Sequence, residues 1–138
     1  MVGYDLDGIL RSEGPGRSKP FMKQTGEERR AFDDERREHC KVAECLMLPP
    51  DDEPYVIITG SPRKFRAETE AWLAEKGFCN FTIEFIDRSR TRQNMIAFKA
   101  EKIQQYGVTT FYEDDPKIVR ALRRRCPGLE VIYIESSW

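Results

Sequence analysis

The sequence is short of everything that a disulfide-framed or zinc-bound fold requires. Its four cysteines, Cys40, Cys45, Cys79 and Cys126, form no CxxC pair, and Cys40 and Cys45 lie just after the single histidine, His39, with a spacing that fits no common zinc pattern. They are read as reduced thiols. No apolar run reaches the about 20 residues that a membrane-spanning helix needs, and the N-terminal MVGYDLDGIL has no basic flank before its apolar stretch. A soluble, cytoplasmic protein without a membrane partner is expected. Charge of one sign is also missing: 23 Lys and Arg face 24 Asp and Glu, for a net charge of -1. No global attraction to nucleic acid or to acidic membranes follows, and any affinity for an anion must come from local clusters. There is no internal repeat, no low-complexity tract and no GxxxxGK[ST] loop of the kind kinases wrap around phosphate.

What is present is the material for one core. The chain has 138 residues, 39% of them hydrophobic, which is too short for two ordinary domains, so a single domain over residues 1–138 is expected. Short apolar runs at 1–4, 55–58, 81–86, 109–112 and 130–134 read as about five strands. Helical patterns at 62–76, 93–106 and 116–125 separate the later ones, two opening with proline and two closing toward Gly77 and Gly107. Strands alternating with helices predict an α/β fold, Rossmann-like, with a parallel sheet flanked by helices. Trp72 and Leu73 are expected in the core, Arg66 with Glu70 as a helical pair, and Arg123 to Arg125 as a solvated helix end.

The first connection breaks the rhythm. An insert over residues 12–54 runs from the Gly/Pro-bearing SEGPGRSKP through a charged segment at 25–48 to the breaker LPPDDEP. Arg29 with Asp33, Arg30 with Asp34 and Asp33 with Arg37 stand at helical spacing, which predicts a surface helix. It would be either a small cap over the C-terminal edge of the sheet or a solvated helix covering one sheet face.

Chemistry concentrates at the predicted strand ends. In VGYDLDGIL, Asp5 and Asp7 stand two residues apart where a strand stops and Gly8 lets the backbone turn, so both carboxylates can reach one site. A strand-end carboxylate can attack phosphorus if a divalent cation screens the charges that would keep it from a phosphate. A second carboxylate can hand a proton to the leaving oxygen and take one from the attacking water. An Asx-type turn accounts for the same residues without any chemistry. At the next strand end, VIITGS offers the Thr59 hydroxyl and the backbone at Gly60 to a phosphate oxygen. FYEDDP crowds carboxylates at a helix start, where Asp114 and Asp115 either cap the helix or join Asp5 and Asp7 in the oxygen-rich cage that magnesium favours.

Taken in order, these motifs resemble the haloacid dehalogenase superfamily of phosphohydrolases over essentially the whole chain. The shared pattern is an Asp-x-Asp-Gly strand end, a Thr or Ser strand end, a lysine at a helix start and an acidic pair after a later strand. The resemblance implies a sheet whose first and fourth strands are adjacent, so that the two acidic motifs meet where strand order reverses. It implies Asp5 as the nucleophile that becomes an aspartyl-phosphate, Asp7 as general acid and base, and Thr59 as a phosphate holder. It also implies Mg2+ held by Asp5, by Asp7 with the backbone carbonyl region at residues 6–7, and by Asp114 or Asp115. Of two lysines on one predicted helix, Lys99 stands at the family's distance from Gly107 and is preferred over Lys102 for neutralising charge at the phosphoryl group.

Two longer segments bear on substrate. SPRKFRAETEAWLAEKG after Thr59 and GEERRAFDDERREH in the insert resemble the phosphatase domain of phage-type polynucleotide kinases and their small stand-alone relatives. What this implies is hydrolysis of a phosphomonoester on a nucleotide or a polynucleotide 3'-end, with Gly60, Arg63, Arg88 and Arg90 supporting the substrate in an open site. The SPR after Thr59-Gly60 departs from the pattern, since it displaces an arginine that often follows directly. Two other readings stay open: a phosphatase for a small metabolite or phosphoprotein, and a regulatory or binding subunit of a nucleic-acid end-processing complex.

Overall fold

Alternation within one strand lets the central sheet carry a core on each face. The computed structural model describes residues 1–16 and 19–135. In β2 (Tyr55–Pro62), Tyr55 and Ile57 enter one core while Val56 and Ile58 enter the other. Around it stand β1 (Val2–Tyr4), β3 (Phe81–Ile86), β4 (Thr110–Glu113) and β5 (Glu130–Tyr133). The order is β3-β2-β1-β4-β5, and every pairing is parallel. The predicted five-stranded α/β fold therefore forms, with the first and fourth strands adjacent.

Helices α3 (Arg92–Tyr106) and α4 (Pro116–Arg125) cover one face, packing Phe98, Ile103, Ile118 and Leu122 against Val56, Ile58 and Phe111. Helix α2 (Arg66–Glu75) covers the other through Trp72 and Leu73, as expected of those two residues, beside Tyr4 and Ile57. Burial on both faces is what a parallel sheet requires. Among the described residues no helix is long and apolar enough to cross a membrane, and all four cysteines are free.

The insert forms α1 (Gly26–Val42). Thr25 and Glu28 build a reciprocal capping box at its start, each side chain accepting from the other's backbone N–H. Cys40 is its buried residue, and the helix lies against α2 rather than over the C-terminal edge of the sheet. The predicted pairs within the helix give way to ties across it: Asp33 accepts from Lys64 at 2.8 Å, Arg37 reaches Glu68 at 3.0 Å, and Arg29 donates to the Phe21 carbonyl. These contacts face solvent and contribute little each.

Three boundaries that differ from the sequence reading matter to the site. Strand β2 continues past residue 58 to Pro62 with an irregularity after Thr59, and a short 3-10 turn at Arg63–Phe65 delays α2 to Arg66. Strand β4 sits one residue later than its apolar run suggests, which makes Glu113 its last residue.

Candidate active site

The backbone after β1 folds into a tight turn that fixes Asp5 and frees the next carboxylate. Asp5 extends the β1–β4 ladder by donating its N–H to the Tyr112 carbonyl, and its Oδ1 accepts from the Leu6 N–H. The Leu6 carbonyl accepts from both Leu10 and Arg11 at 2.9 Å, which closes the turn. Gly8 lies in the left-handed region at φ +90, and a Cβ there would overlap the Asp114 carboxylate. The glycine is needed on both counts.

Lys99 projects from α3 into this corner and is 2% exposed. Its Nζ lies 3.3 Å from Asp5 Oδ1 and 2.5 Å from Glu113 Oε1. The other oxygen of Glu113 accepts from the Asp114 and Asp115 N–H groups, so the end of β4 is shaped around this buried carboxylate. One oxygen each of Asp5, Glu113 and Asp114 lies within 4.8 Å of the others. Burial and then the Glu113 charge push the Asp5 carboxyl up to about 8, against the pull of Lys99. Burial and then Asp5 push Asp114 up to about 10. Burial also works against the charge on Lys99, but Asp5 and Glu113 outweigh it and hold the ammonium above the ordinary lysine range. Three acids against one buried cation leave room for further positive charge.

From the other side β2 delivers hydroxyls. Thr59 and Ser61 are both buried; Thr59 Oγ1 accepts from the Ser61 N–H at 3.0 Å, while Ser61 Oγ meets no hydrogen-bond partner among the described residues. Gly60 lies between them, and a Cβ there would come within 2.8 Å of Met95 Sδ, the movable end of a side chain. All of these groups line one cleft of about 440 Å³ at the C-terminal ends of β1, β2 and β4. That is the crevice where strand order reverses and where open α/β sheets bind ligands.

Of the residues expected from sequence, Asp5, Thr59, Gly60, Lys99 and Asp114 meet in this cleft, with Asp7 and Asp115 at its walls and Arg90 at its mouth. Several placements correct the expectation. Asp7 is not in the close acidic group: both its oxygens are held by Arg11, at 2.8 and 3.2 Å. Asp115 is the N-cap of α4, accepting from the Lys117 N–H, and it faces Arg92 at 3.4 Å; of the two acids the sequence offered, Asp114 is the one that stands beside Asp5, and Glu113 joins them. Lys102 turns to Glu84 and Gln105. Arg88 points away from the cleft, forked onto Glu101 and bonded to Asp87, because an exposed guanidinium takes the nearest carboxylates. Arg63 is exposed on the turn before α2 and does not line the cleft. Arg90 does, donating to the Gly60 carbonyl.

Glu113, Arg11, Ser61, Glu13 and Lys117 belong to the site without having been expected there, while Arg92 lines it as the arginine-bearing loop after the third strand suggested. For Glu113 a signal existed: a glutamate closing an apolar run alternates onto the same strand face as Phe111, toward the helix that carries Lys99.

No family model matches the chain, and no curated protein does. Among solved structures the fold is similar to a chain of the Pnkp1/Rnl/Hen1 RNA repair complex, with a TM-score of 0.57 and 14% sequence identity. The alignment covers 99% of this chain and 43% of that one, so the chain spans less than half the length of its structural neighbour. At that identity the likeness shows the shared fold.

Proposed function

We propose that this chain hydrolyses phosphomonoesters with a magnesium ion, through an aspartyl-phosphate on Asp5. The observation that carries the reading is the placement of Asp5 in a cation-neutralised acidic corner, between Lys99 and Asp114, with the Thr59 hydroxyl in the same cleft. An Asp5 oxygen attacks phosphorus, the bond to the leaving oxygen breaks, and that oxygen takes a proton from Asp7. Water then attacks the phosphorus, gives its proton to Asp7, and the Asp5 carboxylate leaves as free phosphate forms. Lys99 neutralises charge between Asp5 and the phosphoryl oxygens, and Thr59 holds one of them.

A hard divalent cation fits the donor set, which is all oxygen and includes two carboxyls whose protons such an ion would displace. Asp5 and Asp114 would hold it, with Glu113 behind them. Bound there, it would supply the charge that lets an anionic nucleophile approach an anionic phosphoryl group.

For substrate we infer a phosphorylated nucleotide or polynucleotide end. Among the described residues of the insert, Glu13 lines the cleft, so no helix closes over it. Arg90, Arg92 and Lys117 stand at the cleft walls, where adjacent phosphates of a strand would lie. The structural neighbour belongs to an RNA repair complex, which agrees with this reading.

The test is release of phosphate from p-nitrophenyl phosphate and from an oligonucleotide 3'-phosphate with magnesium present. Both should turn over, the oligonucleotide at lower KM, and Asp5→Asn should reduce both to background. Full activity of Asp5→Asn, or no phosphate released from any monoester, would end the reading. Preference for a sugar phosphate or a phosphoprotein would remove the substrate inference alone.

A further inference from the structure

Arg11 is the most completely buried arginine of the described chain, at 0% exposure, and everything it touches explains one contact. Its Nε and Nη2 hold the two oxygens of Asp7 at 2.8 and 3.2 Å, a bidentate fork. Its Nη1 donates to Thr69 Oγ1 on α2 at 3.1 Å. The guanidinium carbon lies 5.8 Å from the centre of the Trp72 ring, and the Cys40 thiol of α1 lies against it. Trp72 is in turn fixed by donating to the Ala43 carbonyl at 2.8 Å, just past α1. The Arg11 backbone is pinned as well, to Leu6 and Gly8 on one side and in a bridge with Cys45 on the other.

Stability does not explain such a residue. A buried ion pair roughly breaks even against well-packed apolar side chains of the same volume, because both charges must leave water. What the fork does achieve is geometric. Asp7 keeps 20% of its side chain exposed, at the cleft wall, and a carboxylate on a turn would otherwise sample several rotamers. Two parallel bonds to a planar group that is itself anchored by Thr69 and Trp72 favour one of them.

We propose that Arg11 is the positioning residue of Asp7, and that the insert, through Cys40 and Ala43, serves to build the socket in which Arg11 sits. The inference rests on the phosphatase reading, with Asp7 as the proton carrier. Arg11 is buried behind the cleft and does not line it, so it acts on the reacting groups through Asp7. It should therefore govern turnover and leave binding of the phosphoryl group alone.

A double-mutant cycle on p-nitrophenyl phosphate with magnesium tests this, because that leaving group needs little proton help and keeps the Asp7→Asn rate measurable. Arg11→Met should lower kcat on the order of tenfold to a hundredfold, the scale of a small misplacement, with KM changed less than about twofold. In the Asp7→Asn background the same substitution should have no further effect. Thr69→Val, which removes the Nη1 anchor and keeps the volume, should lower kcat a few-fold in the same pattern, and it carries the test if Arg11→Met fails to fold. Equal losses with and without the Asp7 carboxylate, or a loss confined to KM, would overturn the role of Arg11 while the wild-type enzyme stays active. A wild-type chain that turns over no phosphate would overturn it together with the function it rests on.

Discussion

At the residue scale, the cationic side chains of the cleft divide by what already holds them. Lys99 is enclosed between Asp5 and Glu113, and in the proposed reaction its charge acts there. Arg92 sits at the wall with a single loose partner, Asp115 at 3.4 Å, and its side chain is half exposed. Arg88 is fully engaged by Glu101 and Asp87 and points elsewhere. We expect Arg92→Ala combined with Lys117→Ala to raise KM for an oligonucleotide 3'-phosphate several-fold and to flatten its salt dependence, with little change for an aryl phosphate. Arg88→Ala should alter neither substrate. Steady-state kinetics at two salt concentrations would decide it, and equal losses on both substrates would place the wall residues in folding or in general phosphate binding.

At the scale of elements, the turn after β1 and the end of β4 are built against each other. Gly8 carries a positive φ and faces the Asp114 carboxylate with no room for a methyl group. Gly8→Ala should strain the turn and push the Asp114 carboxylate out of place together, since the backbone is in the left-handed region and the added methyl group would overlap that carboxylate. The expected outcome is a destabilisation of about 1 to 3 kcal/mol with turnover reduced far more than KM, and with the magnesium requirement shifted to higher concentration. Denaturant melts and a magnesium titration of activity check this. Gly60→Ala serves as the contrast, because its clash is with Met95 Sδ, the flexible end of a side chain that can move aside. A Gly8→Ala protein that needs no extra magnesium would show that the turn and Asp114 are not coupled.

For the whole molecule, the acidic corner links pH, metal and stability. The Asp5 carboxyl, pushed up to about 8, and the Asp114 carboxyl, pushed up to about 10, hold protons in the folded chain that the unfolded chain releases near pH 4. Between those values the native state binds more protons than the unfolded state, so stability falls as pH rises through that window. The metal-free protein should melt at a lower temperature at pH 8 than at pH 5. Magnesium competes with the protons for the same oxygens, so its stabilising shift should be larger at pH 8. Thermal melts with and without the ion at both pH values test the sign. A melting temperature that rises over that range without metal, or the same magnesium shift at both, would remove the site.

The sequence by itself determined the local features that short-range physics controls. Apolar runs of strand length alternating with helical patterns foretold five parallel strands, residues at strand ends marked Asp5, Thr59 and Asp114 as groups to bring together, and Lys99 came only from the family resemblance. What only the tertiary structure decided is how neighbouring acids and cations share partners. Glu113 rather than Asp115 joins Asp5 because β4 runs one residue further and turns Asp115 into a helix cap. Asp7 faces Arg11 because α1 and α2 close a socket around a residue that the sequence marks only as the start of a connection. Arg88 leaves the cleft because its guanidinium is held by Asp87 beside it and by Glu101 across on α3. Spacing along the chain fixes which face a side chain leaves from, but ion pairing depends on distances across elements, and those exist only once the sheet and its helices have packed.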